Sequence, residues 1–242
     1  MQCPGQDSRY WKQGAIFEVK CPNCDNQVEF FKDDTSRKCP TCGHRFVNPH
    51  MDFGCAAYCQ FAEQCLGSLP PEVVAKQEEL LKDRVAIQMK RYFQGDKKRI
   101  QHANKVAYYA EKIGKEEGGD MAVVLISAYL HDIGIPEAER KHNSSAFKYQ
   151  HQEGPPVARA ILEDLGAKED LITRVCEIID HHHSPGNNED LNFKVVFDAD
   201  QITNLEEQKQ EGNLEPSTLQ DRIDNSIFTR TGKKLAQQIL GT

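Results

Sequence analysis

The sequence predicts a mainly α-helical protein, preceded by a small cysteine-rich module with short β-hairpins. Three observations carry that expectation. From Glu72 onward, apolar residues recur at helical spacing between Gly, Pro and Asn breaks. Of the 9 cysteines, all but Cys176 lie between Cys3 and Cys65. Pro70-Pro71 closes the turn-rich start, so the expected division is a module over residues 1–70 and a helical domain over 71–242.

Taken in order, apolar–polar alternation at 16–19 and 28–31 reads as two short strands. Residues 73–93 read as one long helix, ended by the Gly95-Asp96 turn. Residues 97–114 form the next, with Ile100, Ala103, Ala107, Ala110 and Ile113 as its apolar stripe. Met121–Leu130 is apolar almost all round, too short to cross a bilayer and better suited to the centre of a bundle. Residues 136–153 are polar and read as a loop. Further helices are expected at 156–165, 171–182, 192–205, 217–228 and 233–240.

With 242 residues, 38% of them hydrophobic and 28% charged, the composition is that of a soluble globular protein. The start, MQCPGQDSRYW, has neither the basic residues nor the apolar core of a secretory signal, so a cytoplasmic protein without membrane contact is expected. A formal net charge of -7 speaks against a general nucleic-acid binder, because phosphate backbones demand a basic surface. It leaves room for a small anionic substrate held at a local cation.

Polar side chains at the edges of apolar stripes single out a candidate site. His102 shares a helix edge with Val106, Tyr109 and Ile113, so it faces inward. His131-Asp132 leaves the most apolar helix of the chain, just before Gly134, where an unpaired charge is expensive. Asp200 lies on the stripe of Val196, Ala199 and Thr203, and Asp198 on that of Val195, Ile202 and Leu205. Any one of these alone is ordinarily a hydrogen-bonded core group or a helix cap. Several on separate helices are most cheaply explained by a shared cation. Imidazole beside carboxylate suits a divalent metal that also holds water or phosphate oxygen.

The series His102, then His131-Asp132 within HDIG, then Asp200 within VVFDADQI resembles the HD-domain metal-dependent phosphohydrolase superfamily, over roughly residues 80–240. That resemblance implies a helical HD-domain bundle with His102, His131, Asp132 and Asp200 as metal ligands. Asp198 stays the alternative for the last position, because helical phase alone does not separate the two. The implied activity is that of a phosphohydrolase or phosphodiesterase acting on a phosphate ester, a nucleotide or a related small molecule. The cofactor would be one or two divalent metals (Mn, Fe, Co, Ni, Zn or Mg), with Asp132 also orienting the nucleophile.

Dinuclear members, such as the HD-GYP phosphodiesterases, use further histidines between the HD pair and the final Asp. This chain offers His151, with Glu153 as a nearby oxygen donor, and His181-His182-His183 at a helix end. His181 and His182 are the candidates there, while His183 reads as an exposed helix terminus. The Gly-Tyr-Pro signature is absent, Ser184-Pro185-Gly186 standing in its place. Arg140 and Lys141 are candidate phosphate contacts in the predicted loop, with Lys148 a weaker one.

Cys21-Pro-Asn-Cys24 and Cys39-Pro-Thr-Cys42 are two CxxC knuckles, the second followed by Gly43. They resemble a zinc ribbon, which implies one structural zinc in four thiolates. In a reducing compartment such crowding favours metal over disulfides. Cys3, Cys55, Cys59 and Cys65 remain as a candidate second thiolate site for zinc or an iron–sulfur cluster, set against plain packing on a helix near 56–66. Cys176, among Ile172, Val175 and Ile179, reads as a core residue. The ribbon is also a candidate surface for a protein partner. That leaves a second reading of the whole chain, a metal- or redox-sensing binding module with a vestigial HD site. A third, an RNA-directed enzyme guided by the ribbon, lacks the basic surface.

Overall fold

The computed structural model describes residues 16–31, 34, 36–50, 71–186, 189–213 and 216–241. Cys3, Cys55, Cys59 and Cys65, and the helix expected near 56–66, lie outside the described residues. The chain divides into two compact units, Met1–Leu80 and Leu81–Thr242. The first helix, α1 (Pro71–Tyr92), begins on the proline itself. Proline is a good first residue for a helix, so Pro71 marks a helix start.

The N-terminal unit contains two hairpins. Strands β1 (Ile16–Lys20) and β2 (Gln27–Phe31) pair antiparallel with Ile16 opposite Phe31, and β3 (Ser36–Lys38) and β4 (Arg45–Val47) with Ser36 opposite Val47. Each hairpin is closed by one CxxC knuckle with the same hydrogen bonds. Asp25 N–H donates to Cys21 O at 2.9 Å in the first, and Gly43 N–H to Cys39 O at 3.0 Å in the second. The two donors sit at φ 57 and 74, the left-handed region that Gly43 enters without strain. Val28 and Phe30 are buried, with Phe17, Val19 and Phe46 packed against them. So small a core needs a staple.

The helical unit continues with α2 (Lys97–Glu117), α3 (Met121–Leu130), α4 (Ile135–His142), α5 (Phe147–Asp164), α6 (Glu169–His181), α7 (Leu191–Gln210), α8 (Pro216–Ser226) and α9 (Arg230–Leu240). Asp96, Asp120, Asp190 and Thr229 cap α2, α3, α7 and α9 by accepting from backbone N–H groups of the first turn. Helix α3 is the hub, packed against α2, α6 and α7, while α4 lies on α5 and α9 on α7. Val123, Val124, Ile126, Ala128 and Leu130 are all buried, which explains a helix without a polar face.

The stretch 136–153 is not a loop. It holds α4 and the first two turns of α5, joined by a short bend at Asn143, which ends α4 with φ 50. Its polarity misleads because α4 buries only Ala138 among its residues, and α5 turns Gln150 and Glu153 inward where an apolar stripe would be expected. The approach of α5 is set by two glycines. A Cβ on Gly134 would stand 2.6 Å from Gly154 N and 2.7 Å from Gln150 O. Only backbone fits there, and that contact brings His151 beside the turn after His131-Asp132.

Candidate functional site

Helix α3 ends at Leu130, and the chain turns sharply through His131, Asp132 and Ile133. His131 is 1% exposed, and its Nδ1–H donates to Ala128 O at 2.9 Å. A carbonyl only accepts, so the proton sits on Nδ1 and the Nε2 lone pair of the neutral ring points into the bundle. His182 repeats the arrangement, its Nδ1–H donating to Ile179 O at 2.8 Å. His102, on α2, differs: its Nδ1 faces Glu207 Oε1 of α7 at 3.2 Å. All three rings are thereby oriented from behind, as ligand histidines are.

The Nε2 atoms converge with carboxylate oxygens. His102 Nε2 lies 3.1 Å from Asp200 Oδ1 and 3.3 Å from His131 Nε2, and His131 Nε2 lies 3.5 Å from the same Asp200 oxygen. His102, His131 and Asp200 form one group of donors within 4.8 Å of one another. His151, His182 and His183 form a second group on the same criterion. Asp132 stands between the two. Its Oδ2 is 3.4 Å from His131 Nε2 and 3.8 Å from His102 Nε2, while its Oδ1 is 3.6 Å from His182 Nε2.

Electrostatically the two groups differ. Burial pushes the His131 imidazole down, but Asp132 and Asp200 outweigh it and hold the pKa well above its ordinary value. His102 is raised in the same way, with Asp200 overcoming the cost of burial. Asp132 and Asp200 are both held below the usual carboxylate range, because His131 and its neighbours outweigh their burial. In the second group, burial outweighs the carboxylates at His183 and His151. Burial and then His182 push His183 down to about 3, and burial lowers His151. That favours the neutral, lone-pair-bearing form of His183 and His151.

Four buried atoms of these clusters have no hydrogen-bond partner among the described residues: Asp200 Oδ2, His182 Nε2, His151 Nε2 and His183 Nδ1. Buried polar atoms are normally satisfied, and leaving one bare costs about 1–3 kcal/mol. A donor set of imidazoles and carboxylates with unspent lone pairs fits divalent cations.

Of the residues singled out by sequence, His102, His131, Asp132, Asp200, His151 and His182 come together. His181 does not. Its Nε2 lies 3.1 Å from Glu189 Oε2 and its ring stacks on Phe193. His183 takes the place expected for it, because α6 ends at His181 and the next residues leave helical phase. Asp198 is buried elsewhere, accepting from Phe228 N–H, Thr229 N–H and Thr229 O–H at 2.7 Å each. It anchors the start of α9, and burial raises its pKa to about 6. Glu153 accepts from Lys141 and from His142 at 3.0 Å. Arg140 pairs with Glu137 at 2.7 Å, Lys141 with Glu137 and Glu153, and Lys148 lies over the Tyr149 ring. Sequence reasoning missed Glu207, although it stands seven residues after Asp200 and so on the same face of α7.

In the N-terminal unit, the sulfurs of Cys21 and Cys42 are 3.6 Å apart, as are those of Cys24 and Cys39, and all four lie within 4.8 Å. A disulfide is far shorter, and four thiolates at about 2.3 Å from one zinc are spaced by nearly this distance. The Asn23 side chain and the His44 N–H bring the Cys42 thiol down to about 6. At Cys24 the Asn26 N–H favours thiolate, but the neighbouring thiols outweigh it and push the group up to about 12. Crowded thiolates of that kind call for a cation.

A helical bundle gathered around buried His and Asp donors defines a metal-centre domain. Residues 99–205 match the family model of the HD domain. HD domains bind divalent metals and belong to a family of metal-dependent hydrolases. A solved structure similar to the chain is that of a predicted HD superfamily hydrolase from an uncultured Thermotogales bacterium. It is 20% identical with a TM-score of 0.48, covering 67% of this chain and 84% of that one. No curated protein matches the chain.

Proposed function

We propose that the helical unit is a phosphohydrolase or phosphodiesterase with two divalent cations, acting on the phosphate ester of a nucleotide or related small molecule. The observation that carries this reading is Asp132, which turns one oxygen to each donor group. His102, His131 and Asp200 would hold one cation and His151, His182 and His183 the other, with Asp132 shared. So many imidazoles suit Mn, Fe, Co, Ni or Zn better than Mg, which prefers oxygen. Cations bound there would supply the Lewis acidity that polarises a phosphoryl oxygen and makes water nucleophilic near neutral pH.

The chain's own groups have separable tasks. Asp132, 18% exposed at its side chain against 4% for Asp200, is the carboxylate that incoming water can reach and the one to orient it. Ala128 O, Ile179 O and Glu207 hold the imidazoles in place. Arg140 is the better phosphate contact of the two cations on α4, because its head is 66% exposed whereas Lys141 ties α4 to α5 through Glu153. A vestigial site explains less, since four bare buried atoms would then be a standing cost with nothing to offset it. In the N-terminal unit we infer a structural zinc held by Cys21, Cys24, Cys39 and Cys42.

The test is a screen of generic phosphomonoesters and diesters with protein loaded with Mn, Fe, Co, Ni or Mg. Turnover that Asp132→Asn abolishes, with helical content intact, is expected. Absence of turnover with every metal would overturn the reading.

A further inference from the structure

Phe147 is an exposed aromatic beside the donor atoms. It opens α5 and is 57% exposed, whereas Phe193 and Phe197 of α7 are buried. Its ring lies 4.0 Å, centroid to centroid, from that of His183, at an interplanar angle of 13°. His183 in turn is within 5.6 Å of His151 and 3.8 Å of His182 by ring centroids. One face of Phe147 is therefore occupied by a member of the second donor group. More than half of the residue is left to solvent beside the site.

An exposed phenylalanine gains free energy from any planar apolar surface that covers it, and offset stacking of aromatic rings adds directionality. It offers no hydrogen bond and no charge, so it cannot recognise a sugar hydroxyl or a phosphate. What it can select is a π-face. Base–aromatic stacking tolerates different bases, because each has such a face.

We propose that Phe147 is a specificity-determining residue, the stacking platform for an aromatic ring carried by the substrate at a short distance from its phosphate. The inference rests on the phosphoester reading above and deepens it. The phosphate end is held at the donor groups and the ring lies against Phe147, so the preferred substrates are base-bearing phosphates and not sugar phosphates.

Matched ligands test this. Adenosine, guanosine, cytidine and uridine 5′-phosphates are each compared with ribose 5-phosphate, which shares the phosphate and sugar but lacks the base. Binding to manganese-loaded full-length protein is measured by calorimetry, and hydrolysis is measured alongside. At least one base-bearing ligand should bind about tenfold or more tighter than ribose 5-phosphate, from the usual size of a base–aromatic stack. Phe147→Ala should erase that difference while leaving ribose 5-phosphate binding and manganese content unchanged, and Phe147→Tyr should preserve it. Equal binding of the matched ligands, no base-bearing ligand bound at millimolar concentration, or equal losses for both ligands in Phe147→Ala would overturn the proposal. Loss of manganese in Phe147→Ala and Phe147→Tyr alike would also overturn it, assigning the ring to support of His183 alone. Base-dependent binding without hydrolysis would instead defeat the phosphohydrolase reading and leave the platform standing.

Discussion

His182 Nε2 lies 3.6 Å from Asp132 Oδ1, although the two residues come from turns after different helices, α6 and α3. The other oxygen of Asp132 faces His131 and His102 at 3.4 and 3.8 Å. This carboxylate is the element that makes two neighbouring donor groups into one site, and the predictions below turn on it and on what holds its neighbours.

Glu207 backs His102 at Nδ1 where His131 and His182 use backbone carbonyls. Removing such a partner typically weakens metal binding by about 10–100-fold. Glu207→Ala is expected to lower affinity at the His102–His131–Asp200 group by that order, with Glu207→Gln intermediate. Competition with a chelator of known affinity measures it, and unchanged affinity in both variants would remove Glu207 from the account.

Gly134→Ala places a methyl group against backbone atoms of Gln150 and Gly154, which cannot move aside as a side chain can. Overpacking of this kind costs about 1–3 kcal/mol. The thermal midpoint should fall by several degrees, and metal content should fall with it, because α5 carries His151. A variant as stable as the wild type would show that the glycine contact is not what sets the position of α5.

Metal-free and metal-loaded protein should respond to pH in opposite ways. In the metal-free state the pKa of His131 and of His102 is raised above 6.5. That contribution is fully present below 6.5 and is lost as pH rises through the folded value. Metal binding requires unprotonated imidazoles, so affinity grows over the same range. The gap in thermal midpoint between manganese-loaded and chelator-treated protein should widen from pH 6.5 upward. A gap that narrows would contradict the assignment of these histidines as ligands.

Much of this was legible in the sequence, and the exceptions have physical causes. The central helix Met121–Leu130 is bounded by Asp120 and by the turn at His131, so its limits could be read directly. His102 declared itself as a polar edge on the apolar stripe of α2. Asp198 and Asp200 could not be separated, because α7 is buried nearly all round from Asn192 to Leu205 and both carboxylates face inward. Only the structure shows that Asp198 binds backbone at the start of α9. The different placements of His181, beside Glu189, and His183, beside His151 and His182, could not be read from sequence because α6 gives way to a turn there and helical phase ceases to apply. The helices within 136–153 were hidden because their buried positions are a lone alanine, Ala138, and the polar residues Gln150 and Glu153, which leave no apolar periodicity.

For the ribbon, zinc removal is expected to unfold the N-terminal unit selectively, since Val28, Phe30 and a few neighbours make a core too small to stand alone. Cys24→Ser or Cys42→Ser should release about one zinc per chain by the four-ligand stoichiometry, with manganese in the helical unit unaffected. Zinc retained in both variants would contradict the four-thiolate site.

The most direct test of the central claim is the manganese content of the wild type and of Asp132→Ala, counted separately from ribbon zinc. It should be read together with the electron paramagnetic resonance spectrum. Two donor groups sharing Asp132 predict two manganese ions per chain with a spin-coupled spectrum, and loss of both the coupling and at least one ion in Asp132→Ala. A single uncoupled manganese in the wild type, or two ions indifferent to Asp132→Ala, would contradict it.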